Sequence, residues 1–213
     1  MIDLQIATFN ADKLREFSNL LEPAGYRVLG ASALHGYNAP EETGATLAEN
    51  ALIKARALHL RTGQIAIADD TGLFVDALDG QPGVHAARFA GPGCSYEDNV
   101  RLLLEKLVEV PMDERTARFE TVIAVVGPEI EHLLVGTCEG QITEDAHGTQ
   151  GFGYDPVFQP DRQQHTFAEM TLEHKNSISH RGLALQALRS WLITQRPPED
   201  VAGEDAPAED VSG

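Results

Sequence analysis

The chain has 213 residues, 42% of them apolar, enough for one substantial core and too few for two comfortable domains. Sixteen Lys and Arg against thirty-three Asp and Glu leave a formal charge of −17. A chain of that charge repels a polyanion, which argues against a sequence-nonspecific nucleic-acid binder. No apolar run approaches the roughly 20 residues that span a bilayer, and MIDLQIATFN lacks the segments of a signal peptide. A soluble, cytoplasmic protein with no membrane partner is therefore expected. Cys94 and Cys138 stand alone, with no CxxC and no Cys/His cluster, which suggests neither a disulfide framework nor a zinc site.

In chain order, Leu4 to Phe9 reads as a buried strand, and Asn10 then offers an N-cap before Lys13, Leu14, Phe17, Leu20 and Leu21 at helical spacing. A second helix is predicted from Leu47 to Arg61, where Leu47, Ala51, Leu52, Ala55 and Leu58 form one stripe and Gly63 stands at the stop. Ile65 to Ala68 reads as a short strand. After the Gly/Pro-rich stretch from Gly80 to Gly93, Asn99 to Val108 is predicted helical. Arg118 to Val126 and His132 to Cys138 read as an antiparallel hairpin turning at Gly127 and Pro128. A last helix, about Ser179 to Thr194, is expected to bury Leu183, Leu185, Leu188, Trp191 and Leu192. Strands and helices alternate early with a hairpin in the middle, so the predicted class is α/β with a mixed sheet. Pro197 to Gly213 carry three Glu, three Asp and no base, and read as an acidic disordered tail beyond a folded domain over 1–196. Without those six carboxylates the charge is still −11, so any anion site must use a few local cations or a metal.

Four segments gather polar residues at element ends. In Thr8-Phe9-Asn10-Ala11-Asp12-Lys13 a strand runs into a helix N-terminus, whose free N–H groups attract phosphate, and Lys13 adds a cation in the first turn. The bland alternative is that Thr8 and Asn10 only cap the helix and Lys13 is solvated. The segment has neither the GxxxxGK[ST] of a P-loop nor the GxGxxG of a dinucleotide fold. Glu41-Glu42 and Asp69-Asp70 supply four carboxylates, suited to Mg²⁺, which takes one or two carboxylates plus phosphate oxygens. Neighbours in an extended chain point to opposite faces, so one of Asp69 and Asp70 should be catalytic and the other structural. Following Ile65 to Ala68, the pair is expected at the carboxyl end of a strand, where open α/β sheets place ligands; a plain turn is the competing reading. Asn50 and Lys54 lie four apart and share a helix face. Gly151 to Pro156 sets Phe152 and Tyr154 on a glycine-rich loop able to stack a base, and Lys175 and His180-Arg181 offer hydrogen-bond donors downstream.

With these residues in hand, the chain resembles the inosine triphosphate pyrophosphatase family over about residues 2 to 194. The resemblance rests on Thr8-x-Asn10-x-x-Lys13-x-x-Glu16, Glu42-Thr43-Gly44, Glu49-Asn50-Ala51-x-x-Lys54-Ala55 and Ala68-Asp69-Asp70-Thr71-Gly72-Leu73. It continues through Pro82-Gly83-x-x-x-Ala87-Arg88, Gly151-Phe152-Gly153-Tyr154-Asp155-Pro156 and Ser179-His180-Arg181-Gly182. Phe9 stands where many members have Gly or a small polar residue, and Thr71 replaces the more usual Ser.

The resemblance implies an elongated mixed β-sheet flanked by helices in two lobes with a central cleft, a homodimer, and dependence on Mg²⁺. It assigns residues 8 to 13 to the triphosphate. Asp70 would serve metal and water activation, with Glu42 and Glu41 as further metal contacts. Phe152, Gly153, Tyr154, Asp155, Lys175, His180 and Arg181 would hold the nucleotide, with Thr71 beside them. The implied reaction hydrolyses ITP, dITP and XTP to the monophosphate and pyrophosphate, with Lys13 and Lys54 neutralising phosphate charge. Hypoxanthine and xanthine present an N1–H donor and an O6 acceptor, the reverse of adenine, so Asp155 accepting and His180-Arg181 donating would leave adenine facing unpaired buried groups. Guanine shares the N1 and O6 pattern, so its rejection needs a further contact. A nucleotide sensor without turnover would not need Glu42 and Asp70. Related pyrophosphatases acting on pyrimidine or modified nucleotides are disfavoured by Ser179-His180-Arg181.

Overall fold

Three long strands make the frame in the computed structural model, which describes residues 2–195. The tail expected over 197–213 lies outside them. β1 (Ile2–Ile6) runs parallel to both β2 (Tyr26–Gly30) and β3 (Ala66–Val75). β5 (Thr116–Gly127) pairs antiparallel with β3 and with β6 (Ile130–Ile142), and β7 (Phe158–Pro160) closes the far edge. The order is β2-β1-β3-β5-β6-β7, with the two-residue β4 (Pro82–Gly83) beside β3. The sheet is mixed, as the alternation of elements predicts. The hairpin turns between Gly127 and Ile130, and Glu129 takes the left-handed conformation there, φ 59°.

At about 3.4 Å per residue the 13 residues of β6 span roughly 44 Å. One core does not fill that length, so the strand ends serve two. Leu4, Ile6, Phe17, Ile67, Ile123 and Leu188 pack at one end. Leu73, Val75, Leu103, Phe119, Phe158 and Phe167 pack at the other. Between Ile67 and Leu73, where neither core reaches, β3 carries Asp69, Asp70 and Thr71, and the Thr71 hydroxyl bonds that of Thr121 on β5 at 2.7 Å.

The helices start where side chains satisfy their free N–H groups. Asn10 caps α1 (Ala11–Leu21), and a Thr46/Glu49 capping box starts α2 (Leu47–Thr62), which ends on Gly63 at φ 67°. A second box, Ser95 with Asp98, starts α3 (Tyr96–Lys106) three residues earlier than periodicity alone suggests. Ser179 ends α4 (Leu172–Ile178) and caps α5 (His180–Thr194). α5 lies directly on β6 at Gly136, where a Cβ would strike the His180 carbonyl and the Ala184 nitrogen. That contact presses the first turn of α5 against the sheet.

Several expectations need correction. β3 does not stop at Ala68: β5 offers a partner to each residue from Ala66 to Val75, so Asp69 and Asp70 lie within a strand and neither at its end nor in a turn. β1 ends at Ile6, and Ala7 to Phe9 form the connection to α1. Leu183 faces solvent on α5, and Trp191 is partly buried, stacked on His132 with centroids 4.9 Å apart. Periodicity alone gave no strand at β2 or β7 and no helix at α4. Cys94 and Cys138 are free thiols. Among the described residues no helix is long and apolar enough to cross a membrane.

Candidate active site

A cleft of about 850 Å³, including its open mouth, lies over the junction of the two cores. Asp70 lines its floor while Asp69 is buried outside the lining, and strand alternation sends them to different partners. Asp69 Oδ2 meets the Lys13 ammonium at 3.0 Å and accepts from Arg181 Nε at 3.1 Å. Asp70 Oδ1 accepts from Lys54 Nζ at 2.9 Å, and its Oδ2 from Asn50 Nδ2 at 3.4 Å. Both carboxylates are buried, and burial favours the neutral acid in each. For Asp69 the cations Lys13, Arg181 and Lys54 overcome burial and hold the pKa well below the usual range. For Asp70 burial, with the Glu42 charge beside it, outweighs Lys54 and Lys13 and raises the pKa. Adjacent carboxylates driven in opposite directions are suited to different tasks, a fixed anion and a proton acceptor.

The Lys54 ammonium also lies 3.1 Å from Glu42 Oε1. Burial opposes its charge, but Asp70, Asp69 and Glu42 together raise its pKa. Lys13 is pushed the other way: burial, Arg181 and Lys54 outweigh Asp69 and lower its pKa. The turn before it is organised chiefly by its own side chains. Asn10 Oδ1 accepts from the backbone nitrogens of Asp12 and Lys13 at 2.9 and 3.2 Å, and Thr8 Oγ1 from that of Asn10 at 3.2 Å. The helix N-terminus is therefore largely capped from within, and cationic reach into the cleft comes from the Lys13 side chain.

At the opposite end, Gly151 at φ 74° lets the loop fold over Asp155, whose Oδ2 accepts from Phe152 N at 2.8 Å and from Lys175 Nζ at 2.6 Å. A Cβ at Gly151 would overlap that carboxylate. Burial raises the Asp155 pKa against the pull of Lys175. Phe152 lies over Lys175 and Arg181, 4.9 and 5.4 Å from its ring centroid. The His180 ring stacks on Phe119 at 4.3 Å, and its Nδ1 is buried without a hydrogen-bond partner among the described residues. Burial first, then Arg181 and Lys175, pushes its pKa well below 6.5, so the ring is neutral at pH 7.

Glu16, on α1, joins the two ends. Its carboxylate accepts from Arg181 Nη1 at 2.7 Å and Lys175 Nζ at 3.4 Å, while Arg181 Nη2 reaches Thr71 Oγ1 at 3.1 Å. Buried charges need such pairing. Three of the five N–H groups of Arg181 are thus committed to Glu16, Asp69 and Thr71.

Of the residues singled out by sequence, Asn10, Lys13, Glu42, Lys54, Asp70 and Thr71 line one half of the cleft. Phe152, Gly153, Tyr154, Asp155, Lys175, His180 and Arg181 line the other half. Thr8, Phe9, Ala11, Asp12 and Glu41 do not line it. Phe9 stacks on Tyr37 at 6.0 Å, Asp12 pairs with Arg15, and Glu41 is exposed. Tyr96, Asn99, Phe119 and Val84 also face the cleft. They carry no local signature, although the Ser95/Asp98 box, had it been read, places Tyr96 at a helix start.

A long mixed sheet that carries one carboxylate into a cation-lined, aromatic-walled cleft and buries its neighbour against Lys13 and Arg181 defines an α/β protein built around one interlobe ligand site. The chain belongs to the Ham1 family, whose model matches residues 4–191. The dITP/XTP pyrophosphatase of Thermoanaerobacter pseudethanolicus is 49% identical over 188 residues, 88% of this chain and 95% of that one. The Ham1 protein of Staphylococcus aureus superposes with a TM-score of 0.82 at 37% identity, covering 91% of this chain and 100% of the other. A nucleoside-triphosphatase / dITP/XTP pyrophosphatase of Mycobacterium abscessus gives 0.72 at 41% identity, covering 88% and 98%.

Proposed function

We propose that this chain hydrolyses deaminated purine nucleoside triphosphates, ITP, dITP and XTP, to the monophosphate and pyrophosphate, removing them from the nucleotide pool. The names of its relatives support this. The observation that carries it is one cleft with Lys13, Lys54 and the Lys54-paired carboxylates of Glu42 and Asp70 at one end and a buried Asp155/Lys175/His180 group under an aromatic loop at the other.

Mg²⁺ suits the donor set. Glu42 and Asp70 both lie within 3.1 Å of the Lys54 ammonium, so two hard oxygen donors converge there. Among the described residues no cluster of three His, Cys, Asp or Glu is placed to hold a metal, so the remaining ligands would be phosphate oxygens and water, as Mg²⁺ prefers. When bound, Mg²⁺ neutralises phosphate charge and lowers the pKa of a coordinated water. Of the two glutamates, Glu42 would hold it, since its carboxylate meets Lys54 beside Asp70 while Glu41 is exposed.

Lys13 binds the triphosphate and Lys54 keeps Asp70 in place. Asp70, held by Lys54 and Asn50, takes the proton of the attacking water. The new bond forms at the α-phosphorus, the bridging bond to the β-phosphate breaks, and pyrophosphate leaves. At the base end Asp155 accepts N1–H, while His180 and the third proton of Lys175 face O6. Arg181 positions Asp69, Glu16 and Thr71 with three of its five N–H groups, and the remaining two, in the lining of the cleft, serve the nucleotide. Adenine meets like groups there, which costs about 10⁴-fold or more in kcat/KM where a site is built to bond its substrate.

Pyrophosphate release across a nucleotide panel tests the reading: ITP, dITP and XTP should be turned over, and ATP and GTP at least about a hundredfold less well. Equal kcat/KM for ATP and ITP would overturn the base assignment, and release of orthophosphate alone would overturn attack at the α-phosphorus. The reading extends to a homodimer acting in the cytoplasm, the first checked by sedimentation velocity.

A further inference from the structure

We propose that Tyr96 recognises the sugar of the bound nucleotide; this rests on the reading above. A nucleotide has three parts in fixed order, and the cleft offers a phosphate end and a base end. Tyr96 touches a residue of each. Its hydroxyl accepts from Asn10 Nδ2 at 3.0 Å, across 86 residues of sequence, and Asn10 belongs to the turn that carries Lys13. Its ring packs on Phe152 of the base loop, centroids 6.0 Å apart at 40°. A side chain in contact with both ends lies over what joins them.

The chemistry agrees with the placement. Tyr96 is 41% exposed and lines the cleft, so a ligand meets its ring directly. A phenol both donates and accepts. With its oxygen accepting from Asn10, its own proton meets no protein acceptor among the described residues and is available to a sugar hydroxyl. The ring supplies an apolar face for the sugar carbons. The position is held firmly: the Ser95/Asp98 capping box sets the start of α3. One turn on, buried Asn99 accepts from Ala90 N at 2.8 Å and donates to the Ala87 carbonyl at 3.3 Å. Tyr96 is thus a rigidly presented hydroxyl between Lys13 and Phe152, and its loss should be read in nucleoside recognition while base choice and phosphate binding stay as they are.

The test is Tyr96→Phe against wild type with ITP, with 2′,3′-dideoxy-ITP, and with inorganic triphosphate as a competitive inhibitor. The Phe variant keeps the ring contact with Phe152, and a melting curve checks that it folds. Losing one neutral hydrogen bond should raise KM for ITP about fivefold, with kcat changed less. With the dideoxy analogue, which lacks the partner, the two enzymes should agree within about twofold, and the inhibition constant of triphosphate should not move. An equal penalty for ITP and the dideoxy analogue would overturn the assignment. So would a rise in the triphosphate constant matching the rise in KM, which would mean that Tyr96 acts through Asn10 on the phosphates. If the wild type releases no pyrophosphate from ITP, the activity reading fails on its own. Equilibrium binding of the same two nucleotides to the same two proteins then decides the Tyr96 assignment by the same ratio.

Discussion

Replacing each aspartate of the central pair by asparagine separates a structural anion from a working one. Asp69→Asn removes the charge shared by Lys13 and Arg181, and leaves Lys13 facing Arg181 and Lys54 in a buried site while Arg181 keeps Glu16. Removing one partner of a buried pair costs about 3–5 kcal/mol. In a chain of this size each kcal/mol lowers Tm by about 2–4 °C, so the variant should melt about 6–20 °C below wild type. Asp70→Asn is different. Its charge is already disfavoured by burial, an asparagine Oδ1 still accepts from Lys54, only the long 3.4 Å bond from Asn50 is given up, and Glu42 stays to balance Lys54. Its Tm should lie within about 3 °C of wild type, a change of about 1 kcal/mol or less. Its pyrophosphate release should fall at least about 10²-fold, the lower end of what a positioned general base contributes. Thermal melts and steady-state ITP turnover on the two variants give the four numbers. If Asp70→Asn kept its rate, or if both variants lost Tm equally, the division of roles argued from their opposite environments would be refuted.

Lys13→Ala should lower kcat/KM for ITP by roughly 10- to 150-fold, the worth of one charge-assisted hydrogen bond of about 1.5–3 kcal/mol, with weaker pyrophosphate inhibition; a loss under about threefold would place the phosphates elsewhere. His180 is kept neutral by burial, so below about pH 6.5 the unfolded chain binds a proton that the folded chain refuses. Its contribution to unfolding free energy should therefore decline as pH falls from 7 to 5, by at most about 1.4 kcal/mol per unit, and His180→Gln should flatten that part of a denaturant-derived profile. Gly151→Ala forces a side chain into the left-handed region and against Asp155, which should cost about 1–2 kcal/mol in backbone conformation and raise KM for ITP about tenfold or more. An unchanged KM would mean that the Asp155 carboxylate does not bind the base.

Much of this was legible where the physics is local. The start of α1 follows from Asn10, α2 from its apolar stripe and the stop at Gly63, and the β5–β6 hairpin from two β-rich runs around Gly127-Pro128. That Asp69 and Asp70 serve different faces follows from the two-residue period of an extended chain, whatever the rest of the fold does. The capping box that starts α3 was equally local and easily overlooked, which left Tyr96 outside the expected helix.

Other features needed the tertiary structure. Asp-Asp-Thr-Gly has the composition of a turn, yet it stays extended because β5, some fifty residues on, pairs with every residue of it, and backbone hydrogen bonding across a sheet overrides local preference. How many Arg181 donors are left for a ligand depends on Glu16, 165 residues away, and on Asp69, 112 away, which take two of its five N–H groups. Which carboxylate of the pair keeps its charge is decided by neighbours from α1, α2 and α5 together, since only their convergence sets the local balance of burial and cations. A chain pattern records the period of each element. It does not record which distant element fills the space beside it, and in this protein the chemistry of the cleft is made of those meetings.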